Sequence, residues 1–119
     1  MRALICGSRD WTDYEAIETL IKGFPKDTVV IQGMCRGADQ MARTAAIKHG
    51  LPEPEDYPAE WEKHGRSAGP RRNTRMLDEG HPDIVYAFHQ DIFSSKGTKD
   101  MVKKARAKGV PVIIMEAGQ

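Results

Sequence analysis

The sequence is short of cysteine, of long apolar runs and of net charge. Its 119 residues include two cysteines, and 18 basic against 17 acidic side chains give a formal net charge of +1. Because Cys6 and Cys35 lack metal-ligand spacing and one pair is too few for a disulfide scaffold, we expect free thiols in a cytoplasmic protein. No run is long enough for a membrane-spanning helix or a signal peptide, so we expect no membrane partner.

The commonest nucleotide-binding signatures are absent as well. The sequence has neither the Gly-x4-Gly-Lys-Ser/Thr spacing of a Walker loop nor a Gly-x-Gly-x-x-Gly fingerprint, which disfavours ordinary nucleoside-triphosphate and dinucleotide folds. The four histidines share no metal-ligand spacing, and we expect neither a metal nor a cofactor. The near-neutral charge argues against duplex DNA as a partner, because duplex binding needs several cations on one face.

Short apolar runs alternate with amphipathic stretches along the whole chain, and the length favours a single domain over residues 1–119. The pattern predicts strands at 3–6, 28–33, 82–89 and 110–115, a weak edge strand near 55–57 followed by a loop, and helices at 13–23, 37–50, 67–80 and 97–109. This order predicts an α/β fold in three layers, with helices on both faces of a mostly parallel sheet of about five strands.

The segments that follow the predicted strands combine glycine with arginine or lysine. In an open α/β sheet, ligands bind beyond the carboxyl ends of the strands, where strand order reverses. Glycine lets backbone N–H groups approach an anion, and arginine and lysine add charged hydrogen bonds. We therefore expect a phosphate-bearing small molecule, bound by Gly7, Ser8, Arg9, Gly33, Arg36, Gly37, Asp39, Arg72, Asn73, Ser95, Lys96, Gly97 and Thr98.

Each of these features also has a structural alternative. Gly7 and Gly33 can simply end strands, and Gly37 can let a helix pack closely on the sheet. Asp39 lies in the first turn of a predicted helix, where a carboxylate complements the dipole.

The turn "SSKGT" and the two tryptophans are equally open to two interpretations. Ser95 or Thr98 can cap the helix that follows without any ligand. Trp11 and Trp61 fall in loops at the ligand-binding edge, where each can stack on a base or cover the edge of the core. For both tryptophans we favour the core.

Five stretches together resemble the YspA-like branch of the SLOG superfamily, which is named for the DNA-uptake protein Smf/DprA and the cytokinin-activating LOG enzymes: "GSRDWTDY", "VIQGMCRGADQMA", "YPAEWEKHGRSAGPRRNTRM", "PDIVYAFH" and "SSKGTKDMVKKA". The resemblance runs from about residue 4 to residue 115, and such members are common in bacteria and phages. It implies a compact Rossmann-like fold and a site for a nucleotide or nucleotide-derived ligand, of the nucleoside monophosphate or ADP-ribose type. It also implies a homo-oligomer, a dimer or larger.

LOG enzymes cleave nucleoside monophosphates at the N-glycosidic bond, and their Pro-Gly-Gly-x-Gly-Thr-x-x-Glu loop resembles "FSSKGTKDM" at 93–101. Gly97 and Thr98 match that motif, whereas Met101 stands where the LOG enzymes have their catalytic Glu. Methionine can neither stabilise an oxocarbenium-like transition state nor activate water. Asp100 is one step along the helix and is expected to point away, since one residue rotates the side chain by about 100°.

No catalytic residue follows from this comparison, although Arg72 is the nearest match to a catalytic arginine of the LOG enzymes. Glu60 is a candidate substitute for the missing carboxylate, as are Asp10 and Asp39. We therefore favour a sensor or sequestering module that binds its ligand without turnover. A nucleotide N-glycosidase is the second hypothesis, and single-stranded DNA binding through the cluster Arg66, Arg71, Arg72 and Arg75 is the third.

Overall fold

Five strands and five α-helices lie in the part of the chain that the computed structural model describes, residues 1–92 and 95–116, and they alternate except where α3 and α4 both follow β3. The strands are β1 (Arg2–Gly7), β2 (Val29–Gln32), β3 (Glu55–Asp56), β4 (Ile84–Phe88) and β5 (Val112–Met115). The helices are α1 (Tyr14–Lys22), α2 (Ala38–Lys48), α3 (Trp61–His64), α4 (Ala68–Gly80) and α5 (Gly97–Ala107). No helix of these described ranges is long and apolar enough to cross a membrane.

The strands form one sheet in the order β3-β2-β1-β4-β5, and every neighbouring pair is parallel. This confirms the predicted α/β fold with a parallel sheet. The chain runs outward from β1 to β3 on one side and then returns to place β4 on the other side of β1. Strand order therefore reverses between β1 and β4, which is where a ligand is expected in such sheets.

Side chains of β1 alternate between two hydrophobic layers, as the period of a strand requires. Ile5 is buried in the layer that contains residues of α1 and α2, whereas Leu4 and Cys6 are buried in the layer that contains residues of α4 and α5. Because both faces of β1 are covered, its sequence is apolar throughout.

Two helix ends show which residues set the boundaries. Asp13 caps α1, since its Oδ1 accepts the Ala16 N–H at 3.1 Å. The residue in the left-handed conformation after α4 is His81 (φ 47°) rather than a glycine. Gly80 instead allows Ile31 to pack closely against α4, because a Cβ at position 80 would lie only 3.3 Å from Cδ1 of Ile31.

The segment after β3 differs from the predicted loop. It contains the short helix α3 and a 3₁₀ turn at Gly65–Ser67, which lead directly into α4. The three prolines at 52, 54 and 58 keep the preceding chain extended, and helical structure begins only after the last of them. This extra helix brings Trp61 to the ligand-binding edge of the sheet.

Candidate functional site

A cleft of about 510 Å³ opens above the ends of β1 and β4, at the point where strand order reverses. The loop after β1, the amino-terminal parts of α4 and α5 and the side chain of Trp61 contribute to its walls. Most of the residues predicted to bind phosphate line it: Gly7, Ser8, Arg9, Asp39, Arg72, Asn73, Ser95, Lys96, Gly97 and Thr98.

Gly33 and Arg36 line a second pocket of about 320 Å³, which shares Arg9 and Trp61 with the main cleft. Gly37 lies outside both pockets and has a structural role. Its φ of 80° and the 2.3 Å that would separate a Cβ from the Ser8 carbonyl oxygen both require glycine. The α2 amino terminus contacts the loop after β1, where its Ala38 N–H donates to that Ser8 carbonyl at 3.1 Å.

Two buried charged side chains, those of Asp39 and Arg72, hold the loop after β2 through hydrogen bonds to the backbone of Gly33. Oδ2 of Asp39 accepts the N–H of Gly33 at 3.2 Å and that of Cys35 at 3.4 Å. Nη1 of Arg72 donates to the Gly33 carbonyl at 2.7 Å. A Cβ on Gly33 would lie 2.5 Å from Nη1 of Arg72 and 2.9 Å from Oδ2 of Asp39, so only glycine lets both charged groups come this close. Next to it, Met34 has a φ of 62°, which is uncommon for a non-glycine residue.

Burial is the largest cause of the pKa shifts of Asp39 and Cys6 at the floor of the cleft. It raises the pKa of Asp39 from 3.8 to about 6, although the Arg72 guanidinium and the two backbone N–H groups favour the carboxylate. Burial likewise raises the pKa of the Cys6 thiol far above its ordinary range. Cys6 is therefore an inert neutral thiol at the cleft floor.

Asn73 connects the cleft floor to α5. Its Oδ1 accepts Nε of Arg72 at 3.0 Å, and its Nδ2 donates to Oδ2 of Asp100 at 3.0 Å. Asp100 also pairs with Lys104 at 3.0 Å and does not line the cleft, in agreement with the direction expected from the helix. Met101 is fully buried at the cleft floor.

The turn before α5 contains one residue that caps the helix and two residues that are accessible to a ligand. Oγ of Ser95 accepts the Thr98 N–H at 3.0 Å, so Ser95 serves as a helix cap. Lys96 is exposed, and a Cβ on Gly97 would meet no atom within 4 Å. Phe93 and Ser94, which take the positions of Pro and Gly in the LOG loop, lie outside the described residues.

The two tryptophans have different environments. Trp11 is 3% exposed and packs edge-on against Phe88, with ring centroids 5.4 Å apart. Trp61 is 46% exposed, lines the cleft and carries the guanidinium of Arg9 at 5.5 Å from its ring centroid. The core interpretation therefore holds for Trp11, whereas Trp61 is part of the cleft wall.

The carboxylates proposed as substitutes for the missing Glu are placed very differently. Glu60 is exposed, has Lys63 at 4.0 Å and does not line the cleft. Asp10 lies at the rim, where it pairs with Arg36 at 3.4 Å. Only Asp39 is at once buried and in the cleft.

Further residues line the cleft beside those predicted to bind phosphate. Arg66 and His89 both line the cleft, and Nδ1 of His89 accepts the Asp91 N–H at 2.8 Å. Gly69 also lines the cleft. It lets the Trp61 ring approach α4 closely, because a Cβ at position 69 would lie 3.3 Å from that ring. In residues 1–92 and 95–116, no group of three or more His, Cys, Asp or Glu side chains is placed to hold a metal ion.

Two sequence comparisons show which proteins this chain is similar to. The model of the YspA, cpYpsA-related SLOG family matches residues 1–64. The Gene 61 protein of Mycobacterium phage D29 is 36% identical over 122 residues, which cover 94% of this chain and 94% of that protein.

Two solved structures share the fold. DNA processing protein A (DprA) from Streptococcus pneumoniae aligns with a TM-score of 0.53 and 17% identity over 96% of this chain. UDP-GlcNAc 2-epimerase from Neisseria meningitidis aligns with a TM-score of 0.54 and 16% identity over 100% of this chain. The alignments cover only 58% of the DprA chain and 33% of the epimerase chain. The family model and the phage relative together identify this chain as a member of the YspA, cpYpsA-related SLOG family.

Proposed function

We propose that the protein binds a nucleotide or a nucleotide-derived ligand, of the nucleoside monophosphate or ADP-ribose type, in the cleft at the carboxyl edge of the sheet. The observation that carries this proposal is the composition of the cleft wall. Arg9, Arg66 and Lys96 surround an opening in which Gly97 leaves the backbone accessible, and Trp61 offers an aromatic face. Cations and open backbone suit phosphate, and an indole suits a base.

Binding without turnover is favoured over LOG-type cleavage. Met101 is buried where the LOG enzymes have a carboxylate, and Asp100 is engaged by Asn73 and Lys104 outside the cleft. In this arrangement a ligand would be held as a signal or sequestered. Self-association stays a prediction, which light scattering at several protein concentrations would test.

Single-stranded DNA binding is disfavoured because the arginine cluster at 66–75 is divided. Arg75 pairs with Glu79 at 2.9 Å and lies over the Tyr57 ring, away from the cleft. Arg71 donates to Oγ of Ser67 at 3.0 Å and also lies outside the cleft. Of these four arginines, Arg66 and Arg72 alone face the cleft, so the cluster does not form one continuous basic surface along which a strand could lie.

Isothermal titration with AMP, ADP-ribose and NAD tests the proposal, with a matched pair of lysine variants. Lys96→Ala should weaken binding by about tenfold, because a lysine–phosphate contact contributes about 1.5 kcal/mol. Lys99→Ala should have little effect, because Lys99 is exposed on the same helix but outside the cleft. Absence of binding of all three compounds at millimolar concentration would rule the proposal out.

Tryptophan fluorescence gives an independent measurement of the same site. Ligand binding should change the emission of the wild-type protein, because Trp61 is exposed on the cleft wall. In Trp61→Phe the change should disappear, since Trp11 is buried against Phe88. A ligand-induced change that persists in this variant would place the ligand elsewhere.

A further inference from the structure

Two opposite charges at the cleft floor are close but do not form a direct ion pair. Asp39 is 5% and Arg72 is 8% exposed, and no ion pair within 4.0 Å joins them in the described structure. They are linked through Gly33 instead, whose N–H donates to Asp39 and whose carbonyl accepts from Arg72. Each charged group therefore keeps part of its hydrogen-bonding capacity for another partner.

One polar atom of Asp39 and one of Arg72 have no hydrogen bond to any described residue. Both backbone N–H groups donate to the same oxygen of Asp39, Oδ2, and Oδ1 has no hydrogen bond to any described residue. On Arg72, Nη1 and Nε have acceptors, whereas Nη2 has none among those residues.

These two atoms are not sealed inside the protein. In the described parts of the chain, the only completely buried side-chain polar atom without a partner is Oγ1 of Thr28. Oδ1 of Asp39 and Nη2 of Arg72 therefore retain access to the cleft, which both residues line. The floor of the cleft thus presents a carboxylate acceptor beside a guanidinium donor.

This pair selects for a particular chemistry. A carboxylate repels phosphate, so its partner in an anion-binding cleft must be an uncharged donor or a cation. A hydroxyl satisfies both atoms, because it can donate to Oδ1 while accepting from Nη2. Sugar hydroxyls next to a phosphate offer that combination in one ligand.

We propose that Asp39, with Arg72 beside it, recognises a ribose hydroxyl of the bound nucleotide and so makes the site selective for ribose over deoxyribose. This inference rests on the function proposed above and adds a specificity determinant to it. A site built to hydrogen-bond a hydroxyl rejects an analogue without it, since its buried polar groups are then left unpaired. DNA would be rejected for the same reason.

The charged and titratable groups around Asp39 are Arg72 from α4, Arg9 and Cys6 from β1 and its loop, and Cys35 from the loop after β2. Two of these are cations, and both thiols are poor acceptors. Asp39 is therefore the only carboxylate at the described cleft floor, and one substitution is enough to test it.

Isothermal titration should compare AMP, 2′-deoxy-AMP, 3′-deoxy-AMP and inorganic phosphate in the wild type and in Asp39→Asn. We expect the wild type to bind AMP at least about tenfold more tightly than one of the deoxy compounds. In Asp39→Asn that ratio should fall to within about threefold, because the amide N–H₂ and Nη2 then both donate and the hydroxyl proton has no acceptor. Inorganic phosphate should bind more tightly to the variant, since a negative charge has been removed.

The possible outcomes are distinguishable. Failure of AMP, ADP-ribose, NAD and phosphate all to bind would refute the proposed function, and the inference with it. Binding of AMP no tighter than phosphate, or equal binding of AMP and both deoxy compounds, would leave the anion site standing and overturn the inference. Discrimination that survives in Asp39→Asn would assign it to another residue.

Discussion

Gly7→Ala should destabilise the protein by about 3 kcal/mol or more, a large part of the stability of a small domain. A Cβ at this position would lie 2.1 Å from the carbonyl oxygen of Phe88 and 2.8 Å from Cβ of Ala38. The first contact is with backbone of β4, which is paired to β1 and cannot move aside cheaply. Chemical denaturation followed by circular dichroism measures the loss.

Gly97→Ala is the matched control at the other side of the cleft. A Cβ on Gly97 would meet no atom within 4 Å, and the residue begins α5 with a negative φ. The same chemical change should therefore raise stability by about 0.4–1 kcal/mol through the unfolded state. The new methyl group would lie where the ligand is proposed, so binding should weaken while stability rises. Equal stabilities of the two variants would contradict the geometry at Gly7.

The contrast between these glycines shows how far sequence reasoning reaches. Gly7 follows a predicted strand, and Gly97 begins a predicted helix. Both were expected at the ligand-binding edge of the sheet, because the alternation of strands and helices determines which edge that is. Whether a glycine is required for packing or leaves space for a ligand depends on the neighbouring strand. Phe88 lies 81 positions from Gly7, and no local pattern brings them together.

The floor of the cleft was harder to predict for the same reason. The sequence placed Gly33, Asp39 and Arg72 near the strand ends, but it did not indicate that Asp39 and Arg72 both bind the backbone of Gly33. It also left Glu60 and Asp39 as equal candidates for a functional carboxylate. The two residues carry the same carboxyl group, so their chemistry does not distinguish them. Their burial does, because the chain after β3 forms a helix that leaves Glu60 exposed to solvent.

Asp39→Asn should stabilise the protein at neutral pH, by an amount on the order of 1 kcal/mol or more. Burial raises the pKa of Asp39 from 3.8 to about 6, so the folded state binds this proton more tightly than the unfolded state. The wild type therefore loses stability as pH rises from about 4 to about 6, and the loss is complete above that range. Asparagine remains uncharged, and its single amide oxygen can keep both N–H bonds because both donate to Oδ2.

Urea denaturation at pH 4, 5, 6 and 7 tests this expectation. The stability difference between Asp39→Asn and the wild type should be near zero at pH 4 and reach its maximum at pH 7. Asp27→Asn is the control, because Asp27 is 86% exposed and its substitution should change stability by less than about 0.5 kcal/mol at any of these pH values. A variant that is less stable at pH 7, or a difference that does not grow with pH, would show that the ionised carboxylate is not costly to the fold.

A stabilising Asp39→Asn that also loses discrimination between ribose and deoxyribose would connect the two properties of this residue. The fold does not need the negative charge, since the amide satisfies the same backbone groups. The proposed ribose contact does need the carboxylate, because an acceptor at Oδ1 is required to take the hydroxyl proton beside Nη2 of Arg72. The energetic cost of the buried carboxylate would then be the measurable counterpart of its role in recognition, and the two experiments would assign that role to a single oxygen atom.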